Sequence, residues 1–152
     1  MGTLINTKNN GFEFLEFIHV KEEELYRYQP LAGSYAVIKC NGKYLLCYNT
    51  YRHQWEIPAG KREPKETPKE CAIRELYEET GQKIKDIEFK GLIKVKKLSD
   101  DTIKYNPIYA TNTEYLLPFQ SNAETSEIIL WDLKEEIGII DAVDLKVFHF
   151  VD

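Results

Sequence analysis

The chain has 152 residues, 43% hydrophobic and 30% charged, with a net charge of −5 and an isoelectric point near 5.3. That length and balance fit one globular domain over 1–152 with enough chain to bury a core. The acidic balance offers no basic footprint, so neither a nucleic-acid polymer nor a membrane surface is an expected partner; a small phosphate compound remains compatible if a metal ion supplies positive charge locally.

In chain order, residues 1–11 are polar and expected to be loose. They hold no basic segment followed by an apolar one, and position 6 is not Ser or Thr, so neither a signal peptide nor a myristoylation signal is read there. No apolar run approaches the length of a bilayer span. "FEFLEFIHV", Phe12 to Val20, alternates apolar and polar residues as a strand does, and the charged "KEEELYRY" reads as a surface segment. In "SYAVIKCNGKYLLCYNTY", Asn41-Gly42 is a two-residue hairpin turn. Pairing Cys40 with Lys43 puts Ala36, Ile38, Leu45 and Cys47 on one face and Val37, Tyr44 and Leu46 on the other. Both faces are apolar, so the sheet should be covered on both sides. The three cysteines, Cys40, Cys47 and Cys71, have no metal-type spacing and sit in apolar patterns. They read as small core residues of a protein in a reducing compartment, the cytoplasm.

"RHQWEIPAGKREPKE", Arg52 to Glu66, reads as a short strand and a charged loop. Thr67-Pro68-Lys69-Glu70 is a helix start, with Thr67 as N-cap, Pro68 in the first turn and Glu70 closing a capping box. Gly81 suits the position just past the end, which gives a helix over 68–80. "IKDIEFKGLIKVKKL" and "IKYNPIYATNTEYLL" read as strands split by the turn "SDDT". "EIILWDLKEEIGIIDAVDLKVFHF" begins as a strand and ends in helical stretches. Strands with inserted helices predict an α/β fold, a layered α/β/α sandwich around a mixed sheet.

The helix 68–80 poses a problem. At about 100° per residue, Glu75, Glu78 and Glu79 share one ridge of about 100° on its last turns. Ala72, Ile73, Leu76, Tyr77 and Thr80 fill the arc that should face the core, and Arg74 flanks the ridge, placed to hold one carboxylate. Acids on the polar side of a helix usually form a solvated face. Here, however, they repel one another at three- and four-residue spacing and lie at the carbonyl-rich end, each effect costing a few tenths of a kcal/mol. A divalent cation would reverse that balance, since hard cations take carboxylate oxygens together with substrate phosphate and water. The ridge therefore proposes a Mg²⁺ or Mn²⁺ site.

The surrounding spacing is distinctive: Gly60, five residues, Glu66, seven residues, then Arg74-Glu75-Leu76-Tyr77-Glu78-Glu79-Thr80-Gly81. It resembles the signature of the Nudix (MutT-type) hydrolases. Every Gly, Glu and Arg position of that signature is filled, and Leu76 takes its aliphatic position. Gln82 departs from the pattern, which has an aliphatic residue there; Ile84 could fill that packing role. The resemblance extends to "QWEIPAGKRE" and spans about residues 33–150. It implies a Nudix-type sandwich with Glu78 and Glu79 as principal metal ligands and Glu75 as a further ligand or general base. Arg74 would orient Glu75, Glu66 would pair with Arg74 or support the metal shell, and the backbone carbonyl of Ala59 would contribute to the metal site. The activity implied is Mg²⁺-dependent hydrolysis of a pyrophosphate bond in a nucleoside diphosphate linked to another group.

Other residues have weaker claims. Glu127 reads first as an exposed strand acid, although the resemblance also makes it a candidate ligand. Glu63 reads as surface loop. Lys61, Arg62 and Arg52 are candidate phosphate contacts and equally ordinary solvated charges. Trp55 reads as a core anchor, and one of Tyr105, Tyr109 and Tyr115 could stack on a base. His19, His53 and His149 form no cluster. The alternative is a Nudix-fold nucleotide-binding or regulatory module without turnover, a role with no need of three mutually repelling acids. Isomerisation of a prenyl diphosphate lacks added Cys/His support. Substrate identity and the number of metal ions are not legible, and a homodimer is left open.

Overall fold

The computed structural model describes residues 5–151. The strands are β1 (Thr7–Lys8), β2 (Phe12–Ile18), β3 (Ser34–Cys40), β4 (Lys43–Asn49), β5 (Gln54–Glu56), β6 (Ala59–Gly60), β7 (Glu88–Lys97), β8 (Ile103–Thr113), β9 (Thr125–Trp131) and β10 (Ile140–Asp141). The helices are α1 (Pro68–Thr80) and α2 (Ala142–Val147), with a 3-10 turn at Glu22–Arg27 where the charged surface segment was read.

The strands form one mixed sheet in the order β1-β10-β5-β4-β3-β8-β7-β2, with β6 added to β3 and β9 to β4. β3 runs parallel to β8, while β3 and β4 form the expected antiparallel hairpin with Cys40 opposite Lys43. Asn41 and Gly42 both take positive φ, 53° and 77°. A type I′ turn requires this at both central positions, and its twist matches that of the strands it joins.

The hairpin faces divide as their alternation predicts. Val37, Tyr44 and Leu46 join Trp55, Trp131, Val143, Val147 and Phe148 in a core layer beside α2. Ala36, Ile38 and Leu45 join Ala72, Leu76, Ile87 and Tyr109 in a second layer under α1. Two apolar faces need two covers, and the helices on opposite sides supply them. Leu76 is fully buried in the second layer, a position where truncation to Ala typically costs about 2–5 kcal/mol.

The N-terminal segment is not uniformly loose. Thr7 and Lys8 pair in parallel with Ile140 and Asp141; residues 1–4 lie outside the described residues. Among the described residues no helix is long and apolar enough to cross a membrane.

Candidate active site

The caps of α1 fix which way its acids point. Thr67 Oγ1 accepts from the Glu70 amide at 3.1 Å, and Glu70 Oε1 accepts from the Thr67 amide at 2.9 Å. At the far end Gly81 takes φ 80°, its amide donates to the Tyr77 carbonyl at 2.8 Å, and the last turn holds no basic residue. The buried stripe is Cys71, Ala72, Leu76 and Thr80, while Tyr77 is 48% exposed. The expected core arc is thus rotated: Tyr77 leaves it and Cys71, on the opposite flank, enters. That rotation draws the acid ridge inward. The Glu75 side chain is only 15% exposed, whereas Glu78 on the outer flank is 53% exposed.

Arg74 organises the ridge more fully than expected. Instead of one carboxylate it holds three. Its Nε and Nη2 donate to the two Glu66 oxygens at 2.7 and 3.0 Å, and Nη1 donates to Glu75 at 2.9 Å and Glu78 at 3.0 Å. Nη2 also donates to the Lys61 carbonyl at 2.8 Å, and Glu63 lies within ion-pair distance at 3.6 Å. Glu66 is held below the usual carboxylate range by this guanidinium. Glu75 is raised by its burial, with the guanidinium opposing.

Glu79 stands apart. Among the described residues no Lys, Arg or His pairs with it. Its Oε2 accepts from the Ala59 amide at 3.1 Å and from the Cys47 thiol at 3.8 Å. Burial and the neighbouring Glu75 charge push its carboxyl up to about 9. A buried carboxylate without a cation is costly.

These groups fit a divalent ion in a specific sense. Among the described residues no three carboxylate, Cys or His groups are gathered as a ready-made cage; Glu75 and Glu78 of the ridge, together with Glu66, turn to Arg74. Mg²⁺, however, usually takes one or two carboxylates and keeps several waters. Glu79 has a carboxyl that no cationic side chain among the described residues pairs with, and Glu75 lies one turn away. Gly60 leaves them room, since a Cβ there would sit 2.1 Å from the Glu75 carboxyl carbon. Ala59 meets Glu79 through its amide, so the contact seen is the N–H and not the carbonyl expected to face a metal.

Ala59 and Gly60 also line part of a cleft. A cavity of about 470 Å³ and an adjoining hollow of about 320 Å³ share Asn10, Phe12, Gly33, Tyr35, Lys61, Asn106 and Asp141 as lining. Lys61 and Arg62 line the larger part and Arg52 the smaller. The Arg52 guanidinium is engaged by Glu56 at 2.7 and 2.9 Å. Trp55 is a core residue whose Nε1 donates to the Ile137 carbonyl at 2.7 Å. Tyr109 is buried and donates to Glu22, while Tyr115 is exposed.

Glu127 is exposed on β9, and among the described residues no hydrogen bond or ion pair joins it to the ridge. The later acid that reaches this region is Glu124, which accepts from Asn49 Nδ2 at 3.2 Å and whose charge acts on both Glu75 and Glu79. Sequence reading missed it, although Asn122 in "QSNAET" is a turn former whose Oδ1 accepts from the Glu124 and Thr125 amides. It also missed Asp141 and Asp144. Asp141 caps α2, accepting from the amides of Val143 and Asp144 at 2.9 and 3.0 Å, a signal that the sequence did contain. Asp144 accepts from the Ile57 amide at 2.8 Å, and burial raises its carboxyl well above the usual range.

The chain matches the NUDIX domain family over residues 27–150. The chain belongs to the Nudix hydrolase family. A Bacillus subtilis relative, YtkD, named as an 8-oxo-dGTP diphosphatase, is 30% identical over 132 residues, covering 84% of this chain and 82% of that one. Among solved Nudix structures, the Burkholderia pseudomallei MutT hydrolase superposes with a TM-score of 0.69 at 17% identity, over 82% of this chain and 99% of that one. The Bacillus subtilis pyrophosphohydrolase BsRppH superposes with a TM-score of 0.57 at 26% identity, over 80% and 71% of the two chains. The α/β class and the mixed sheet agree with these Nudix structures.

Proposed function

We propose that this Nudix protein is a divalent-metal-dependent pyrophosphohydrolase. Its substrate would be a nucleoside diphosphate linked to a further group, which in a nucleoside triphosphate is a phosphate. The observation that carries the reading is Glu79, a largely buried carboxyl with no Lys, Arg or His partner among the described residues, hydrogen-bonded to the Ala59 amide of the strand that lines the cleft. Mg²⁺ or Mn²⁺ would be held by Glu79 and Glu75, with Glu78 and the Ala59 carbonyl as further ligands. When bound, the cation neutralises the pyrophosphate and lowers the pKa of a water that attacks phosphorus.

The chain's own residues supply the rest. Glu75, held in place by Arg74, would either join Glu79 on the ion or accept the proton of the attacking water. Arg74 holds Glu75 by one nitrogen while Glu66 locks the other face of the guanidinium. Lys61 and Arg62 line the cleft where phosphates would enter, and Phe12, Tyr35 and Asn106 line the remainder, where a nucleoside would lie. The cleft falls within the usual range for small-ligand sites, about 300–1,000 Å³. The relative named for 8-oxo-dGTP puts oxidised purine triphosphates first among candidates.

The test is a panel of 8-oxo-dGTP, unmodified nucleoside triphosphates, ADP-ribose, dinucleoside polyphosphates and triphosphorylated RNA, each with Mg²⁺, scored by nucleotide, pyrophosphate or phosphate released. At least one should turn over, with release abolished by chelation. Nucleotide binding without turnover of any panel member would favour the non-catalytic module instead.

A further inference from the structure

The connection from β8 to β9, residues 114–124, does not wander over the surface. It is fastened across the C-terminal end of α1. Gln82, the residue at which the signature departs from an aliphatic side chain, is 4% exposed. It exchanges two hydrogen bonds with the Leu117 backbone, donating from Nε2 to the carbonyl at 2.8 Å and accepting from the amide at 2.7 Å. Further along, Asn122 Nδ2 donates to the carbonyls of Glu78 and Glu79 at 3.1 and 3.4 Å. The same side chain's Oδ1 accepts from the amides of Glu124 and Thr125 at 3.0 and 2.8 Å. The Glu124 carbonyl in turn accepts from the Thr50 amide at 2.8 Å.

We infer that Asn122 is a positioning residue for the acidic site: one carboxamide fixes the peptide groups of Glu78 and Glu79 against the backbone of Glu124, so that acids from two separate elements keep one geometry. The inference rests on the acid ridge being the working site. A helix C-terminus leaves carbonyls without intrahelical partners, and cations are the usual partners there. A lysine would satisfy them but would also cancel the negative potential to which a divalent ion is drawn. A neutral amide satisfies the carbonyls and leaves the potential intact. Gln82 acts further out, holding the segment that delivers Asn122.

The inference is tested with Asn122→Ala and Asn122→Ser. The serine hydroxyl still accepts from the following amides but is too short to reach the helix carbonyls. Mn²⁺ binding without substrate is followed by the electron-paramagnetic signal of the free ion. Steady-state kinetics use the fastest substrate of the panel, at a temperature where every variant is folded. Partners of this kind typically contribute 10–100-fold to metal affinity or activity. Both variants should therefore weaken Mn²⁺ binding or lower kcat by about tenfold, with nucleotide KM within about twofold of wild type. Gln82→Leu should show a smaller loss in the same direction. If Asn122→Ser restores wild-type Mn²⁺ affinity and kcat, or if both variants match wild type, the inference fails and Asn122 only shapes a turn. A wild-type protein that neither binds Mn²⁺ nor turns over any substrate removes the functional reading and the inference with it.

Discussion

In the proposed reaction Glu79 is the residue on which the chemistry turns, and replacing its carboxyl should have opposite effects on activity and stability. Its carboxyl is raised from 4.5 to about 9, first by burial, then by the Glu75 charge, against the Ala59 amide that favours the ionised form. At neutral pH the metal-free protein therefore carries a group that folding penalises. Glu79→Gln keeps the shape and the hydrogen bond from the Ala59 amide. Turnover should fall by at least about a hundredfold, as for loss of a group that organises charge at the reacting centre. The metal-free protein should gain stability by about 1 kcal/mol or more, a rise in Tm of about 2–4 °C for a chain of this size by calorimetry at neutral pH. Arg74 shows the converse. Lysine keeps the charge but cannot present the planar fork that reaches Glu66, Glu75 and Glu78 together. Arg74→Lys should lower kcat about tenfold or more, with a stability loss of about 1–3 kcal/mol measured by urea denaturation.

Among the elements, α1 and the strand Ala59–Gly60 were legible to different degrees. The helix announced its start, its end and its acids, because capping residues act locally and so leave a local trace. Its rotation was not legible: Tyr77 looks apolar enough for the core, and only the packing of Cys71 and Ala72 against the sheet decides the matter. The tightness around Gly60 was equally hidden, since the approaching Glu75 comes from another element. A methyl group there would lie 2.1 Å from the Glu75 carboxyl carbon and would push the side chain aside. Gly60→Ala should therefore lower kcat about 10–100-fold, because small misplacements at a reacting centre are expensive, while the circular dichroism spectrum stays unchanged. Glu124 escaped notice for the same reason as Gly60. It reaches the site because a loop is fastened to a helix end by Asn122 and Gln82, and such side-chain fastenings carry no periodicity.

At the scale of the molecule, the hairpin Ser34–Asn49 carried most of what was legible. Its alternation places one set of side chains under α1 and the other under α2, which defines the sandwich. The cleft was not legible, because its walls come from Asn10, Tyr35, Lys61, Asn106 and Asp141, residues far apart in the chain that meet only through the strand order. Asp141 and the first turn of α2 close that wall, and the parallel pairing of Thr7 and Lys8 with Ile140 and Asp141 ties the N-terminal segment to it.

The raised Glu79 pKa also contributes to the pH response of the molecule. Between 4.5 and about 9 the folded state binds a proton that the unfolded state has released. The contribution of Glu79 to stability therefore falls as pH rises through that window and levels off above it. A bound divalent cation favours the ionised carboxylate, removes the excess proton and cancels the slope. Tm recorded against pH, with and without Mg²⁺ or Mn²⁺, tests this most directly, with Glu79→Gln as the reference that lacks the group. The account predicts that wild type without metal loses stability relative to Glu79→Gln as pH rises from 4.5 towards 9, and that the cation raises wild-type Tm most at the alkaline end while leaving the variant almost unmoved. Equal slopes for the two proteins, together with a wild-type Tm that neither cation changes at any pH, would contradict it.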